Sequence, residues 1–278
     1  MNGRGIELIN VSKDFAGDDG KITALADISL SIGPGEYIGI LGLNGSGKST
    51  LARILNGLVK PNTGKVYVNG IDLDSPGRLT EVRQIVGMVF QNPDNQLVCP
   101  VVAEEVSFGP ENLGLPSSEV DSRVDWSLRL VGLEDKKHHA PHLLSGGQKQ
   151  KVALASVLAM RPDYLILDEP TSMLDPSSRW DVLEYLRKVN AENGITIVLI
   201  SHNPEDLIHA SRLIVLDRGS IYLQGSPREV YSEVDKLAAI GLEPPGIYNL
   251  INRLEREGYR IDGAIETIPQ LVESLCRI

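Results

Sequence analysis

Gly42-Leu43-Asn44-Gly45-Ser46-Gly47-Lys48-Ser49-Thr50 has the spacing G-x-x-x-x-G-K-[ST], which suits the cradling of a polyphosphate. Glycines let the backbone curl so that successive N–H groups face one anion, a concavity that larger side chains would obstruct. Lys48 adds a point charge for the β- and γ-phosphates, and Ser49 offers a hydroxyl to Mg²⁺. A helix starting near Lys48 turns its positive end toward the same anion. Gly42, Asn44, Gly45, Ser46, Gly47, Lys48, Ser49 and Thr50 are therefore candidate nucleotide contacts.

Two carboxylates follow a second apolar run, Leu165-Ile166-Leu167-Asp168-Glu169. The carboxyl ends of strands are where open α/β sheets bind ligands. Neighbouring strand residues point to opposite faces, which divides the roles. Asp168 becomes the candidate Mg²⁺ ligand, directly or through water, and Glu169 the candidate base for an attacking water. Gln91 ends the apolar run Ile85–Phe90, within reach of the same cation. His202 follows Ile200-Ser201 and could hydrogen-bond a γ-phosphate or the water. Leu144-Ser145-Gly146-Gly147-Gln148 opens a helix with a hydroxyl and two glycines, a second anion-binding terminus. With two phosphate devices and one nucleotide loop in the chain, Ser145, Gly146, Gly147 and Gln148 are best used to complete a site on a second chain.

The elements that hold these residues read as α/β. Tyr37–Leu41 predicts a buried strand entering the phosphate loop, and Leu51, Ile54, Leu55 and Leu58 predict the helix leaving it. Ile85–Phe90, Tyr164–Leu167 and Ile195–Ile200 are apolar on both faces, as in a parallel sheet covered by helices. The start is antiparallel in character: strands at Ile6–Val11 and Ile28–Ile32 around a turn at Gly17-Asp18-Asp19-Gly20, then Lys65–Val68 with a hairpin turn at Asn69-Gly70. Phe15 lies at a strand end, where it could pack in a core or stack on a nucleobase. Residues 92–160 predict a helical insertion broken at Pro93, Pro100, Pro110 and Pro116. From Glu229 the pattern turns helical, with apolar stripes at Ile247, Leu250, Ile251, Leu254 and at Ile268, Leu271, Val272, Leu275. Gly258 is a stop signal, and Thr267 with Gln270 forms a capping-box pattern.

The chain has 278 residues, 42% hydrophobic and 23% charged, with 27 Lys and Arg against 37 Asp and Glu. The net charge of −10 works against a function built on neutralising a nucleic-acid backbone. No run approaches the length of a membrane span, and the N-terminus has no signal pattern, so a cytosolic location is expected. Cys99 and Cys276 have no metal-ligand spacing and read as free thiols.

In combination and order, the phosphate loop, Gln91, Leu144–Gln148, Leu165–Glu169, Ser172-Met173-Leu174-Asp175 and His202 resemble the ATPase subunits of ABC transporters, over about Ile6 to Gly225. The resemblance implies a phosphate-loop NTPase of ABC type with an antiparallel β subdomain, an inserted helical subdomain and a helical tail, divided as residues 1–228 and 229–278. It further implies two such domains enclosing two ATPs and Mg²⁺, Asp175 at the interface, and Phe15 stacking on adenine. Val89–Gln96, Glu105–Asn112 and the short tail resemble more closely the energy-coupling factor group, which serves vitamin and cobalt or nickel uptake. That implies a place on the cytoplasmic face of the cell membrane. It also implies a second ATPase, identical or paralogous, a transmembrane coupling subunit docked near Asn92–Gln96 and Phe108–Asn112, and a separate substrate-binding membrane subunit. The tail would help hold the ATPases together. Lys151 stands where the family often has Arg, keeping the charge but losing the bidentate fork.

The rival reading, a soluble ABC-type ATPase acting on nucleic acid or the ribosome, usually carries two cassettes or a long coiled coil, and neither is present. A phosphate-loop kinase would have no need of Leu144–Gln148. If Lys48 holds the phosphates, Lys48→Ala abolishes tight ATP binding and leaves the fold in place. Equilibrium nucleotide binding checks this: an affinity within about threefold of the parent, under ~1 kcal/mol, would remove the role given to Lys48.

Overall fold

The computed structural model describes residues 5–17, 20–259, 261, 265 and 267–276. Its first strands are β1 (Ile6–Gly17), β2 (Gly20–Ile32) and β3 (Tyr37–Leu41), followed by α1 (Lys48–Leu55), β4 (Thr63–Val68), β5 (Ile71–Asp72), α2 (Leu79–Ile85) and β6 (Val86–Val89). Three helices come next, α3 (Val102–Asn112), α4 (Ser117–Leu130) and α5 (Gly146–Leu158). The chain returns to the sheet with β7 (Tyr164–Asp168), α6 (Pro176–Asn193), β8 (Thr196–Ser201), β9 (Arg212–Asp217) and β10 (Ser220–Gly225). It ends in α7 (Pro227–Ser232), α8 (Val234–Ala239), α9 (Gly246–Arg256) and α10 (Ile268–Cys276).

The strands form two sheets. β2-β1-β4-β5 is antiparallel throughout. The six-stranded sheet runs β10-β9-β3-β8-β7-β6, parallel except for the β9–β10 hairpin at its edge. Asn69 and Gly70 turn β4 into β5 with φ of 47° and 78°, the two positive values a two-residue hairpin loop requires. Asp18 and Asp19, read as part of the first turn, lie outside the described residues; the flanking Gly17 and Gly20 pair with each other.

The larger sheet is buried on both faces, and its side chains sort by parity. Tyr37, Leu41, Leu165, Leu167, Ile197 and Leu199 join one apolar cluster with α5, α6 and the tail helices. Ile38, Ile40, Ile166, Val198 and Ile200 join another with α1 and the antiparallel sheet. A period of two with neither face polar is the reason these strands read as unbroken apolar runs. Their carboxyl ends collect on one rim of the sheet.

Several boundaries differ from the sequence reading. α1 ends at Leu55, so Leu58 lies past it and is 44% exposed. Gly57, at φ 67°, stops the helix before the apolar spacing does. Ile85 belongs to α2, a helix the sequence reading lacks, and not to the strand after it. Pro110 lies inside α3, two residues before its end, where the helix still has a turn's worth of bonds from other residues. β9 and β10 are strands after His202 that the reading passed over, and the helical tail begins at Pro227. In the tail, Ile251 and Leu271 are buried and Ile247, Leu254 and Leu275 pack against the same cluster. Leu250, Ile268 and Val272 are exposed. The Thr267 capping box is present, with Gln270 N donating to Thr267 Oγ1 and Thr267 N to Gln270 Oε1.

The two sheets are clasped at Asn69. Its Oδ1 accepts from Tyr164 Oη at 2.6 Å and from Gly5 N at 3.0 Å, and its Nδ2 donates to Asp163 Oδ2 at 3.2 Å. Tyr164 is 2% exposed, so its hydroxyl needs a partner. Tyr164→Phe is expected to cost about 1 kcal/mol and to lower the melting temperature by ~2–4 °C, with ATP affinity unchanged. An unaltered melting curve would mean the clasp adds nothing to stability.

Candidate functional site

Lys48, the first residue of α1, is 4% exposed. Its Nζ donates to the carbonyls of Gly42 at 2.8 Å and Leu43 at 2.9 Å and lies 3.6 Å from Glu169 Oε1. Burial pulls the ammonium below its ordinary value, and the charges of Glu169 and Asp168 oppose that pull. Gly47 precedes it at φ 104°, and a Cβ there would come 2.4 Å from the carbonyl oxygen of Ala24; both facts require glycine. Asn44 and Gly45 form the exposed tip of the loop, while Ser49 is exposed and Thr50 half-buried at the helix start. Ser46 Oγ is buried inside the loop against Gly42 and has no hydrogen-bond partner among the described residues.

Asp168 closes β7 and accepts from Ser49 Oγ at 3.0 Å on Oδ1. Burial raises its carboxyl above the usual range, and the Ser49 bond partly counters this. A buried carboxylate beside a hydroxyl is an oxygen donor set that suits Mg²⁺, which takes one or two carboxylates and shares the rest of its shell with phosphates and water. Among the described residues no three or more of His, Cys, Asp and Glu converge as a metal cage.

Glu169 corrects the alternation argument, because the strand has ended. Its φ of 51° puts it in the left-handed region, unfavourable for a non-glycine residue and characteristic of functional turns. The carboxylate therefore returns toward the phosphate loop instead of the opposite face. There Oε1 faces Lys48, and Oε2 meets His202 Nδ1 at 2.9 Å and Gln91 Nε2 at 3.3 Å. Gln91 Nε2 also reaches Ser172 Oγ at 3.2 Å, and that hydroxyl donates to the Glu169 carbonyl at 3.0 Å.

Thus the phosphate loop, Asp168, Glu169, Gln91 and His202 come together. The other candidates do not join this cluster through any of these bonds. Ser145 is the N-cap of α5 and spends its groups locally, accepting from Gln148 N at 3.3 Å while its N donates to Gln148 Oε1 at 3.0 Å. Ser145 and Gly146 are exposed. Gly147 is pressed against the start of α6, where a Cβ would lie 2.5 Å from Ser178 Oγ. Asp175 caps that helix, and its bonds to Ser178 hold its carboxyl below the ordinary value. Phe15 sits near the tip of the β1–β2 hairpin, 42% exposed, with Lys13 Nζ 5.2 Å from its ring centre. Lys151 makes one bond, to Asp181 Oδ2 at 2.7 Å.

Sequence reasoning missed the groups behind the site. Asp206, 2% exposed, accepts from Thr171 Oγ1 at 2.8 Å, Ser201 Oγ at 2.7 Å and Arg179 Nε at 2.5 Å. It ties the turn after Glu169 to the strand before His202. Only its position four residues past His202 could have marked it. Ser172 was read as part of a loop, not as the bridge between Gln91 and Glu169.

A cleft of about 620 Å³ lies at the opposite rim, the amino ends of β7 and β8, lined by Trp126, Arg161, Asp163 and Thr196 among others. None of the candidate site residues borders it, so the chemistry belongs to the carboxyl-end rim, where the charged groups meet.

Residues 25–172 match the family model described as ABC transporter. The chain is 48% identical over 269 residues to the energy-coupling factor transporter ATP-binding protein EcfA1 of Caldanaerobacter subterraneus subsp. tengcongensis, covering 96% of this chain and 97% of that one. It is 45% identical to the protein of the same name from Clostridium novyi, over the full length of both. Among solved structures it resembles cbiO1 from Clostridium perfringens, described as part of the ABC transporter complex cbiONQ, at 38% identity and TM-score 0.75 over 88% of this chain and 98% of that one. It also resembles the ATP-binding cassette MJ0796, solved as a post-hydrolysis dimer with ADP and phosphate, at 32% identity and TM-score 0.72 over 80% of this chain and 98% of that one. A buried lysine in a glycine loop, a carboxylate pair at the sheet rim and these likenesses over nearly the whole length lead to one assignment: the chain belongs to the ABC transporter family of ATPases, within the energy-coupling factor transporter ATP-binding proteins.

Proposed function

We propose that this chain is the ATP-hydrolysing subunit of an energy-coupling factor type importer, working at the cytoplasmic face of the membrane and taking up a vitamin or a cobalt or nickel ion through membrane partners. The observation that carries this reading is the convergence of Lys48, Gln91 and His202 on the one carboxylate of Glu169. Among the described residues no helix is long and apolar enough to cross a membrane, so transport is assigned to other subunits.

In this reading Lys48 moves its charge from Glu169 and the loop carbonyls to the β- and γ-phosphates when ATP enters. Glu169, released on that side, orients a water and takes its proton as the water oxygen attacks the γ-phosphorus. The bond to the β-phosphate oxygen breaks, leaving ADP and phosphate. His202 and Gln91 hold the carboxylate in line; catalysis here is positioning and charge stabilisation. Ser49, Asp168 and Gln91 would hold Mg²⁺, which supplies charge neutralisation at the phosphate oxygens. Phe15 offers its exposed face to adenine. Ser145–Gln148 and Asp175 of one chain close on the nucleotide of the second ATPase.

The helical subdomain, residues 92–160, is assigned to the transmembrane coupling subunit. It exposes three large apolar side chains, Val98 at 72%, Phe108 at 53% and Leu143 at 71%. Glu105, 4% exposed, accepts from Val98 N and Cys99 N, both at 2.7 Å, and so fixes the loop that presents Val98. The tail, residues 229–278, is assigned to contact with the second ATPase through its exposed Leu250, Ile268 and Val272.

Asn95→Ala and Phe108→Asp are expected to weaken co-purification with the membrane subunit and to impair transport, while basal hydrolysis persists. Unchanged assembly and transport together would count against this docking face.

Glu169→Gln keeps size and most hydrogen bonds but removes the base, so turnover falls by roughly 10²–10⁴ while ATP binding survives. The variant should accumulate as an ATP-bound dimer on size-exclusion chromatography with MgATP. Asp168→Asn should trap no dimer, because the metal ligand is weakened. Its folded carboxyl lies above its unfolded value, so the native state binds the extra proton and stability falls as pH rises through that interval. Asparagine removes this cost, and the nucleotide-free variant should be more stable than the parent at neutral pH. The advantage should shrink as the pH falls toward 3.8. Hydrolysis by Glu169→Gln near the parent rate would place the base elsewhere, with His202 next to be tested.

A further inference from the structure

Phe90 links the last residue of β6 to Gln91, and its backbone is held from both sides by side-chain amides. Phe90 N donates to Gln96 Oε1 at 3.2 Å, and Phe90 O accepts from Gln150 Nε2 at 3.3 Å. Gln96 reaches on through Nε2 to the carbonyl of Ala153 at 3.3 Å. Gln150 and Ala153 lie one turn apart on α5, and both are buried, Gln150 at 1% exposure. The β6–β7 ladder pairs residues only as far as Val89. Beyond it, these two amides take over from the sheet, and the Phe90 ring packs against the cluster around α1.

A buried amide is costly unless it is bonded, and a leucine would fill the same space. The amide at 150 therefore needs a reason beyond packing. α5 begins at Ser145, the N-cap of the turn assigned to the second chain's nucleotide. Gln91 lies one residue beyond the clamped backbone and touches Glu169. We propose that Gln150, with Gln96, is a positioning residue that locks the Gln91 strand end to α5. Gln91 at this chain's own nucleotide and Ser145–Gln148 at the second chain's nucleotide then shift as one body. The inference rests on the two-chain reading above. It also adds a role for Gln96, whose amide bonds Phe90 N and the carbonyl of Ala153 and so acts on assembly of the two ATPases through this frame.

The test uses the full chain in the Glu169→Gln background, where MgATP is expected to trap a dimer. Gln150→Met has nearly the same volume and no donor. ATP affinity of the monomer should stay within about twofold, and the melting temperature should be close to the parent's. The ATP concentration for half-maximal dimerisation should rise at least about tenfold, a readout that a merely structural amide would not move separately from stability. Gln96→Met should act in the same direction. Gln96→Glu should fall between, since its carboxylate still accepts from Phe90 N but cannot donate to Ala153 O. If Gln150→Met does not fold, the two Gln96 variants decide the matter. Variants that dimerise at the parent's ATP concentration overturn the clamp alone. A Glu169→Gln parent that stays monomeric at saturating MgATP overturns the two-chain reading as well.

Discussion

An ammonium buried to 4% exposure at the start of a helix is the constraint around which the rest is arranged. Lys48 cannot stay charged there without partners, since desolvation opposes the charged form. Without nucleotide it has two loop carbonyls and one carboxylate. The loop must therefore curl tightly enough to turn its carbonyls inward, hence the left-handed Gly47. The sheet must also deliver a carboxylate to the same point, hence β7 lying one strand from β3 with β8 between them. A triphosphate can outcompete these partners because it brings more negative charge and more acceptors than they do.

Glu169 shows how the same constraint sets the local backbone. Had β7 continued one residue further, side-chain alternation would have turned the carboxylate away from Lys48. The chain instead leaves the strand at Asp168, and Glu169 takes a φ of 51°. That conformation costs free energy, and the surrounding bonds offset it: Glu169 N to Ile200 O at 2.9 Å, Ser172 Oγ to its carbonyl, and Asp206 fastening the turn after Glu169 to the end of β8. Lys48, Gln91 and His202 then meet a carboxylate whose position is over-determined.

The parts of this that were legible in the sequence are those where one local rule acts alone. Glycines before a lysine, apolar runs covered on both faces, Asn-Gly in a hairpin and Thr-x-x-Gln before a helix each have one low-energy solution, and there expectation and structure agree. The misses arise where a distant group overrides the local rule. Leu58 keeps helical spacing, but Gly57 has already ended α1. Pro110 reads as a break, yet the helix around it is held by packing against α5 and α4 from residues far along the chain. β10 lacks the unbroken apolar run, because it is an edge strand with alternating exposure, whereas β9 carries a buried run, Leu213–Leu216, that the sequence reading does not use. Glu169's reversal and the Asp206 network depend on contacts such as Glu169 N to Ile200 O and Thr171 Oγ1 to Asp206, 31 and 35 residues apart, and no spacing pattern encodes them.

The chemistry of the groups joining the two halves of the site follows from the same electrostatics. Lys48, Asp168 and Glu169 already crowd three formal charges into a poorly hydrated space, where burial and the neighbouring charges shift Lys48 and Asp168. A charged strut from α5 to the end of β6 would add a fourth. Amides at Gln96 and Gln150 supply directional donors and acceptors with no net charge, and they bond to backbone rather than to titrating groups. The charged pairs that α5 does make, Lys149 with Asp94 and Lys151 with Asp181, fall on exposed carboxylates, where water screens them. A neutral link can thus carry displacement between Gln91 and α5 while leaving the charge balance around Lys48 to respond to the nucleotide alone.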